Sequence, residues 1–190
     1  MIIYPHFVVV GFSNSYVLAD DKTKTAVVID PGIFDTALLK LIEDNKYYIK
    51  AVLVTHAHSS HINGIKTLMR IYDAEIYAFR DKIFEIPVTY VKEGDTIEVE
   101  SMKFSVIETP GHSRDSVVYL IDRYLFTGDT ITAGLIGTTP HEHAKKILVS
   151  SIQKKLFSLH DDVIVFPGHG PPSLMGIERK SNPLMQDRCV

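Results

Sequence analysis

Short apolar runs separated by polar turns dominate the first third of the chain. The runs Phe7–Val10, Ser15–Ala19 and Thr25–Ile29 are rich in β-branched or aromatic residues, and Gly11 and the polar segment 20–22 separate them. Runs of this length, bounded by turn residues, predict short strands. The first part of the chain is therefore expected to form several neighbouring strands.

Helical spacing of apolar residues appears at three later places. It predicts helices over Phe34–Asn45, in a segment carrying Ile65, Leu68, Met69 and Tyr72, and over His143–Leu159. Because strands and helices mix without a strict βαβ rhythm, we expect an α/β (α+β layered) fold with two sheets covered by helices. The remaining strands are predicted over Ala51–Val54, Glu75–Ala78, Thr96–Val99, Lys103–Glu108, Ser116–Ile121, Tyr124–Phe126 and Val163–Phe166.

Composition narrows the class of protein. The chain has 190 residues, 45% of them hydrophobic, and a formal net charge of −3, so we expect one domain spanning 1–190. The net charge is negative and the charged residues are spread along the chain, which argues against a nucleic-acid partner. The N-terminus has neither the basic region nor the long apolar core that is typical of an export signal. The single cysteine, Cys189, excludes an intrachain disulfide and is given no catalytic role. We therefore expect a cytoplasmic protein without a membrane partner.

Five of the nine histidines lie in short motifs that each follow a predicted strand. Imidazole and carboxylate are common ligands of zinc and iron, and loops at strand ends are frequent positions for binding sites. We therefore expect a metal site outside helix interiors. Its residues are His56, His58 and His61 in segment 55–61, His112 in 109–113, Asp129 in 126–130 and His169 in 167–171.

The spacing of the first two histidines allows both to bind one ion. His56 and His58 are two positions apart, and in extended backbone such side chains point to the same side. His112 can complete a set of three imidazoles. Three protein ligands leave a position for water, whose pKa falls to about 7 on a zinc ion, so a metal-activated hydroxide becomes available as a nucleophile. The set therefore predicts a metal-dependent hydrolase.

Taken together, the motifs resemble those of the metallo-β-lactamase-fold superfamily, and within it the small glyoxalase-II-like (hydroxyacylglutathione hydrolase-like) branch. The resemblance implies an αββα sandwich of two mixed sheets flanked by helices. It also implies that His56, His58 and His112 hold a first metal, that Asp129 bridges, and that His61 and His169 hold a second. The matching segments are 14–18, 29–32, 55–58 with His61 and Gly64, 109–113, 125–130, 134–139 and 167–171.

Ser60 departs from this pattern. The family's HxHxDH motif has an aspartate there, which binds the second metal and helps to hold the attacking water. A serine hydroxyl is neutral and coordinates weakly near pH 7, so the second site loses a charge and a ligand. We therefore expect one firmly bound ion, with zinc as the first choice and iron or manganese as the alternatives, and a weak or empty second site. Asp129 and Ser60 are the two positions assigned to the catalytic water.

The expected function is hydrolysis of a small-molecule ester or thioester, and two alternatives stay open. His56, His112 and Asp129 form two histidines and a carboxylate, the set that non-haem iron oxygenases use. Persulfide dioxygenases of the same superfamily resemble this arrangement, so an iron-dependent oxidation is the first alternative. A catalytically degenerate relative that keeps its metal is the second.

Several neighbouring residues carry weaker expectations. Thr138 stands where relatives often have an arginine. His141 and His143 line the substrate entrance, supply a replacement metal ligand or start a helix, and the flanking Pro140 and Glu142 favour the helix start. Asp115 is read as a turn residue rather than a partner of a histidine, and Tyr16 and Asn14 as a core tyrosine and a turn asparagine.

Overall fold

The computed structural model describes residues 1–9 and 11–183, so Val10 and segment 184–190 with Cys189 lie outside the described residues. The strands are β1 Ile2–Val8, β2 Ser13–Asp20, β3 Thr25–Ile29, β4 Tyr48–Leu53, β5 Glu75–Ala78, β6 Lys82–Ile83, β7 Ile86–Pro87, β8 Thr89–Tyr90, β9 Thr96–Val99, β10 Met102–Glu108, β11 Val117–Ile121, β12 Tyr124–Gly128, β13 Ile131–Thr132, β14 Leu135–Ile136, β15 Ile164–Pro167 and β16 Ser173–Leu174.

Five helices accompany these strands in the described part of the chain. They are α1 Thr36–Asp44, α2 Ser59–Ile62, α3 Ile65–Leu68, α4 Glu142–Ser151 and α5 Met175–Ser181, and a π-helical turn, Ile152–Leu156, continues α4. Among the helices of residues 1–9 and 11–183, none combines the length and the apolar character that a membrane crossing requires.

Two six-stranded mixed sheets form the centre of the fold. The N-terminal sheet has the order β1-β2-β3-β4-β5-β8, and the C-terminal sheet has the order β16-β15-β12-β11-β10-β9. In the N-terminal sheet the first three strands are antiparallel, and β3, β4, β5 and β8 run parallel. In the C-terminal sheet β12 and β15 are parallel, whereas the other pairs are antiparallel.

Three apolar clusters stack in layers and produce the αββα sandwich. The central cluster joins the facing sides of the two sheets, with Leu18 and Leu53 from one sheet and Phe104 and Tyr119 from the other. A second cluster packs α1 and α3 against the outer face of the N-terminal sheet. A third packs α4 and the π-helical turn against the C-terminal sheet. Since both faces of the sheets are covered, most residues of β2, β3 and β11 are buried.

The predicted fold class and most predicted elements are confirmed, with four corrections. The first strand was expected over Phe7–Val10 but covers Ile2–Val8. Pro5 is tolerated there because β1 is an edge strand, where a missing N–H need not break a ladder bond. The helix through Tyr72 is limited to the short α3, and the helix to Leu159 changes to π-helical geometry at Ile152. The hairpins β6–β7 and β13–β14, with β8, β16 and α5, were not predicted.

Candidate metal centre

The six residues expected to bind metal meet at one edge of the sandwich, where strands of both sheets end. Backbone hydrogen bonds join the two sheets at this edge, from Val117 N to Thr55 O (2.9 Å) and from Asn14 N to Gly168 O (2.7 Å). His56 and His58 follow β4, His112 follows β10, Asp129 follows β12, and His169 follows β15, while His61 lies in α2. The site was expected outside helix interiors, whereas His61 lies in the short helix α2, which was not predicted.

His56, His58, His112 and Asp129 form what we call the three-histidine group. His58 Nδ1 lies 3.0 Å from His56 Nε2 and 3.0 Å from His112 Nε2. Asp129 Oδ2 lies 3.8 Å from His56 Nε2 and 3.5 Å from His112 Nε2. The four ligand-type atoms are thus all within 4.8 Å of one another.

His61, His169 and the same Asp129 form the two-histidine group. His61 Nε2 lies 3.4 Å from Asp129 Oδ1, and His169 Nε2 lies 3.5 Å from Asp129 Oδ2. The two carboxylate oxygens of Asp129 therefore face both groups. His61 Nε2 and Asp129 Oδ1 are buried and have no hydrogen-bond partner among the residues that the structure describes.

Neighbouring oxygen atoms fix which ring nitrogens carry protons. The backbone oxygens of Thr138 and Phe12 accept hydrogen bonds from Nδ1 of His112 (2.7 Å) and of His169 (2.8 Å). Thr55 donates its hydroxyl proton to Asp30 (2.6 Å), so it accepts from His56 Nδ1 at 3.1 Å. In the neutral rings, Nε2 of all three histidines consequently carries a lone pair that faces the cluster.

This pattern of lone pairs fits a divalent cation. A tetrahedral zinc site with ligands at about 2.0–2.1 Å separates its ligand atoms by about 3.3 Å. The contacts in the three-histidine group span 3.0 to 3.8 Å. Without a cation, the converging nitrogen lone pairs and the carboxylate repel one another. A single proton on His58 Nδ1 can form a hydrogen bond to His56 Nε2 or to His112 Nε2, but not to both. The donor set therefore has the chemistry of a metal site.

Asp30 is the principal residue of this region that the sequence analysis did not assign to the site. Its carboxylate is buried and accepts hydrogen bonds from Thr55 N (2.8 Å) and Thr55 Oγ1 (2.6 Å). The same Oδ2 lies 3.0 Å from His61 Nδ1. Asp30 thus orients His61 directly and His56 through Thr55. The available signal was a carboxylate directly after the largely apolar strand β3, which pairs with the strand that leads to His56.

Charge in the buried cluster shifts the pKa values of its members. Burial lowers the pKa of His56, and the nearby His61 lowers it further. Burial also opposes a charge on His61, but the carboxylates of Asp30 and Asp129 outweigh it and raise its pKa to about 10. Burial raises the pKa of Asp129, but the positive charge of the nearby His61 outweighs burial and holds this pKa below its usual range. The site therefore favours a positive charge between His61 and the two carboxylates.

Gly168 makes the close approach of Asp129 and His61 possible. A Cβ atom at this position would lie 2.5 Å from Asp129 Oδ1 and 2.6 Å from His61 Cε1. Tyr16 and Asn14 hold the neighbouring loop, because Tyr16 OH donates to Pro167 O (2.6 Å) and Asn14 Nδ2 donates to the same oxygen (3.0 Å). Tyr16 is the core residue expected, whereas Asn14 lies within β2 rather than in a turn.

Ser60 is in α2 and lines a cavity of about 220 Å³ together with Gly11 and Gly32. Its backbone oxygen accepts a hydrogen bond from Ser13 Oγ (2.7 Å). A Cβ atom built on Gly11 would lie 3.0 Å from Ser60 Cβ. The absence of a side chain at Gly11 therefore leaves space beside Ser60.

Asp115 and His141 adopt the structural positions expected for them. Asp115 lies in a turn, and its Oδ2 accepts a hydrogen bond from Ala57 N (3.2 Å), which ties the loop of His112 to the loop of His56 and His58. His141 is the N-cap of α4, with Nδ1 accepting from Ala144 N at 3.1 Å.

A cavity of about 300 Å³ opens directly onto the cluster. It is lined by His112, Asp129 and His169 and by the uncharged residues Thr132, Leu135, Ile136 and Thr138, partly from the β13–β14 hairpin. Leu135 is 57% exposed at this entrance. A small molecule can therefore reach the three-histidine group past a largely neutral wall.

The chain is similar to known proteins over most of its length. It is 28% identical over 204 residues to hydroxyacylglutathione hydrolase GloC of Haemophilus influenzae, covering 95% of this chain and 96% of that protein. It is 36% identical over 159 residues to a hydroxyacylglutathione hydrolase of Francisella tularensis subsp. novicida, with 82% of this chain matched but only 62% of the longer relative.

A solved structure and a family model agree with these similarities. ETHE1 from Myxococcus xanthus has a TM-score of 0.87 and 28% identity, covering 96% of this chain and 84% of that one. The family model of the metallo-beta-lactamase superfamily matches residues 8–169, which include all six candidate ligands. The chain therefore belongs to the metallo-beta-lactamase superfamily.

Proposed function

We propose that this protein is a metal-dependent hydrolase of a small ester or thioester in the cytoplasm. The observation that carries the proposal is the convergence of His56 Nε2, His58 Nδ1, His112 Nε2 and Asp129 Oδ2 within 4.8 Å of one another beside an open cavity. The similarity to hydroxyacylglutathione hydrolases favours a thioester, with S-lactoylglutathione as the first substrate to test.

In this proposal the three-histidine group holds the firmly bound ion, and the two-histidine group forms the weaker site. When bound, a divalent cation supplies a nucleophilic water of lowered pKa and polarises the carbonyl oxygen of the substrate. Zinc suits the imidazole-rich donor set, and iron and manganese are the other candidates. Ser60 supplies no carboxylate, so the two-histidine group has only His61, His169 and a share of Asp129.

The chain's own residues orient the reaction. Asp129 faces both groups of histidines through its two oxygens, and hydrogen bonds to backbone oxygens keep Nε2 of His112 and His169 free of protons. The Thr138 carbonyl and the β13–β14 hairpin form the wall beside which the carbonyl of the substrate binds. Because a thiolate is a good leaving group, a thioester needs little help from a general acid. This suits a site without the family's additional aspartate.

Turnover by the protein purified without chelator tests the proposal. We expect zinc-dependent hydrolysis of S-lactoylglutathione or of a simple aryl thioester, with a loss of at least about 100-fold in His112→Ala, which removes a ligand. His160→Ala is the matched control, because His160 is exposed and belongs to neither group of ligands. Absence of metal-dependent turnover on both thioesters would contradict the proposal.

A second candidate is the iron-dependent oxidation of a thiol persulfide. Asp129 Oδ2 lies 3.8 Å from His56 Nε2 and 3.5 Å from His112 Nε2, which fits the facial set of two histidines and a carboxylate. The similarity to ETHE1 from Myxococcus xanthus also supports it. Iron in the purified protein and oxygen uptake with glutathione persulfide would favour this function. Bound metal without either activity would favour a degenerate relative.

A further inference from the structure

A second cavity, of about 370 Å³, shares the lining residue His112 with the cavity that reaches Asp129. We call it the arginine cavity, because Arg114 lines it together with His112, His141, His143 and Ile147. Its volume is in the range of small-molecule sites. Since both cavities open onto His112, a substrate whose carbonyl lies at the three-histidine group can extend one arm into the arginine cavity.

Among the described residues, the charged and titratable side chains that line the arginine cavity are all bases. They are Arg114, His112, His141 and His143, and no carboxylate of residues 1–9 and 11–183 lines the cavity. Among the neighbouring acids, Asp115 is engaged by Ala57 N, Ser113 Oγ and Arg80 Nη1. Glu142 lies in the exposed first turn of α4. The cavity therefore favours an anionic group.

Two of these side chains have donors available for such a group. Arg114 is exposed and forms no hydrogen bond or ion pair with any residue in the described ranges 1–9 and 11–183. Its planar guanidinium matches both oxygens of a carboxylate. Since His141 Nδ1 accepts from Ala144 N, the neutral ring carries its proton on Nε2 and can donate there.

The rest of the lining indicates a carboxylate on an aliphatic arm. Ile147, Pro110 and Pro140 contribute apolar surface, and the His141 and His143 rings are nearly parallel, with centroids 6.3 Å apart. One guanidinium and one imidazole N–H satisfy a single carboxylate at the end of a short hydrocarbon chain.

We propose that the arginine cavity is a carboxylate subsite, in which Arg114 and His141 hold a carboxylate on one arm of the substrate. The inference rests on the proposed hydrolase function and deepens it, because it names thioesters that bear a carboxylate as the preferred class. Arg114 and His141 are specificity residues here, whereas the reacting carbonyl lies in the neighbouring cavity, which Asp129 lines.

The test compares thioesters that differ only in charge. The probes are S-acetyl-3-mercaptopropionate and adipic acid mono-thiophenyl ester, which carry the carboxylate on the thiol arm and the acyl arm, each paired with its methyl ester. We expect the zinc-loaded protein to prefer one of the two acids over its ester by about 10- to 100-fold in kcat/KM. Arg114→Leu should abolish this preference, and Arg114→Lys should restore part of it. Arg70→Leu, at an exposed arginine away from the cavity, should retain it.

Binding of non-hydrolysable thioether analogues, measured by calorimetry, separates this inference from the proposed function. Binding that depends on both the carboxylate and Arg114, without turnover of any thioester, would support the subsite and contradict the hydrolase. Turnover of all four thioesters without preference for either acid would overturn the subsite and leave the hydrolase standing. An unchanged preference in a folded Arg114→Leu protein would also overturn it.

Discussion

The carboxylate of Asp30 lies 3.0 Å from His61 Nδ1, at the end of a strand that supplies no other member of the metal centre. The same oxygen accepts the Thr55 hydroxyl, so one buried carboxylate orients a histidine in each of the two ligand groups. Partners of this kind determine which nitrogen of a histidine can bind metal.

Asp30→Asn is expected to weaken metal binding at the two-histidine group by about 10- to 100-fold. If the oxygen of the new asparagine keeps the hydrogen bond from Thr55 N, the NH₂ group of the asparagine faces His61 Nδ1. The His61 proton must then move to Nε2, which is the nitrogen that faces Asp129. Asparagine tolerates the positive φ of 49° at this position, so the backbone should persist. Competition with a chromophoric chelator measures the affinity. Asp73→Asn, on the exposed surface, is the control, and equal affinities in both variants would contradict the role of Asp30.

Ser60→Asp is expected to raise the metal content by about one ion per chain, because it returns a carboxylate next to His61. The space left by Gly11 beside Ser60 allows the larger side chain. Elemental analysis of protein purified without chelator measures the change. Ser59→Asp, one position earlier on the exposed start of α2, should leave the content unaltered. If Ser60→Asp binds no more metal than the parent protein, Ser60 does not limit the second site.

Gly168→Ala is expected to separate Asp129 from His61 and to reduce metal binding, since a methyl group would lie 2.5 Å from Asp129 Oδ1. Gly170→Ala on the same loop is the control, because a Cβ atom at this position would meet no atom of the described residues within 4 Å. The φ of 79° at Gly170 means that the alanine adds backbone strain of about 1–2 kcal/mol. Metal titrations and unfolding curves of both variants distinguish the two effects. Weaker metal binding in the Gly170 variant than in the Gly168 variant would contradict the contact argument.

Glu178→Gln is expected to lower the free energy of unfolding by about 1–3 kcal/mol. The buried carboxylate accepts hydrogen bonds from Gly134 N (3.1 Å), Ser173 Oγ (2.6 Å) and Asn182 Nδ2 (2.8 Å), and a glutamine amide group would oppose one of these donors. The Glu178 carboxylate thereby joins α5 to the turn of the β13–β14 hairpin at the entrance of the metal centre. Urea denaturation measures the loss, and Glu98→Gln, whose side chain is 65% exposed, should change stability by less than about 0.5 kcal/mol. Equal stabilities of the two variants would contradict this account.

Some predicted strands have the bounds that the structure shows, both where the whole strand is buried, as in β3, and where buried residues alternate with more exposed ones, as in β5. The sheets pack face to face as the mixed pattern of strands and helices indicated. The two-residue strands of the β13–β14 hairpin escaped prediction, because two residues show no alternation that a pattern can detect. Helix α5 escaped because its buried side includes Glu178, a charged residue that accepts a hydrogen bond from the distant Gly134 N.

The sequence by itself determined the fold class and brought the six ligand-type residues to notice, because strand periodicity and histidine motifs are local properties. Only the tertiary structure decided that Asp30 orients a histidine in each of the two groups. It also decided that Arg114 lines a cavity together with His112. These relationships join loops of different strands across the two sheets, and such distances follow from packing and register, which a local pattern does not specify.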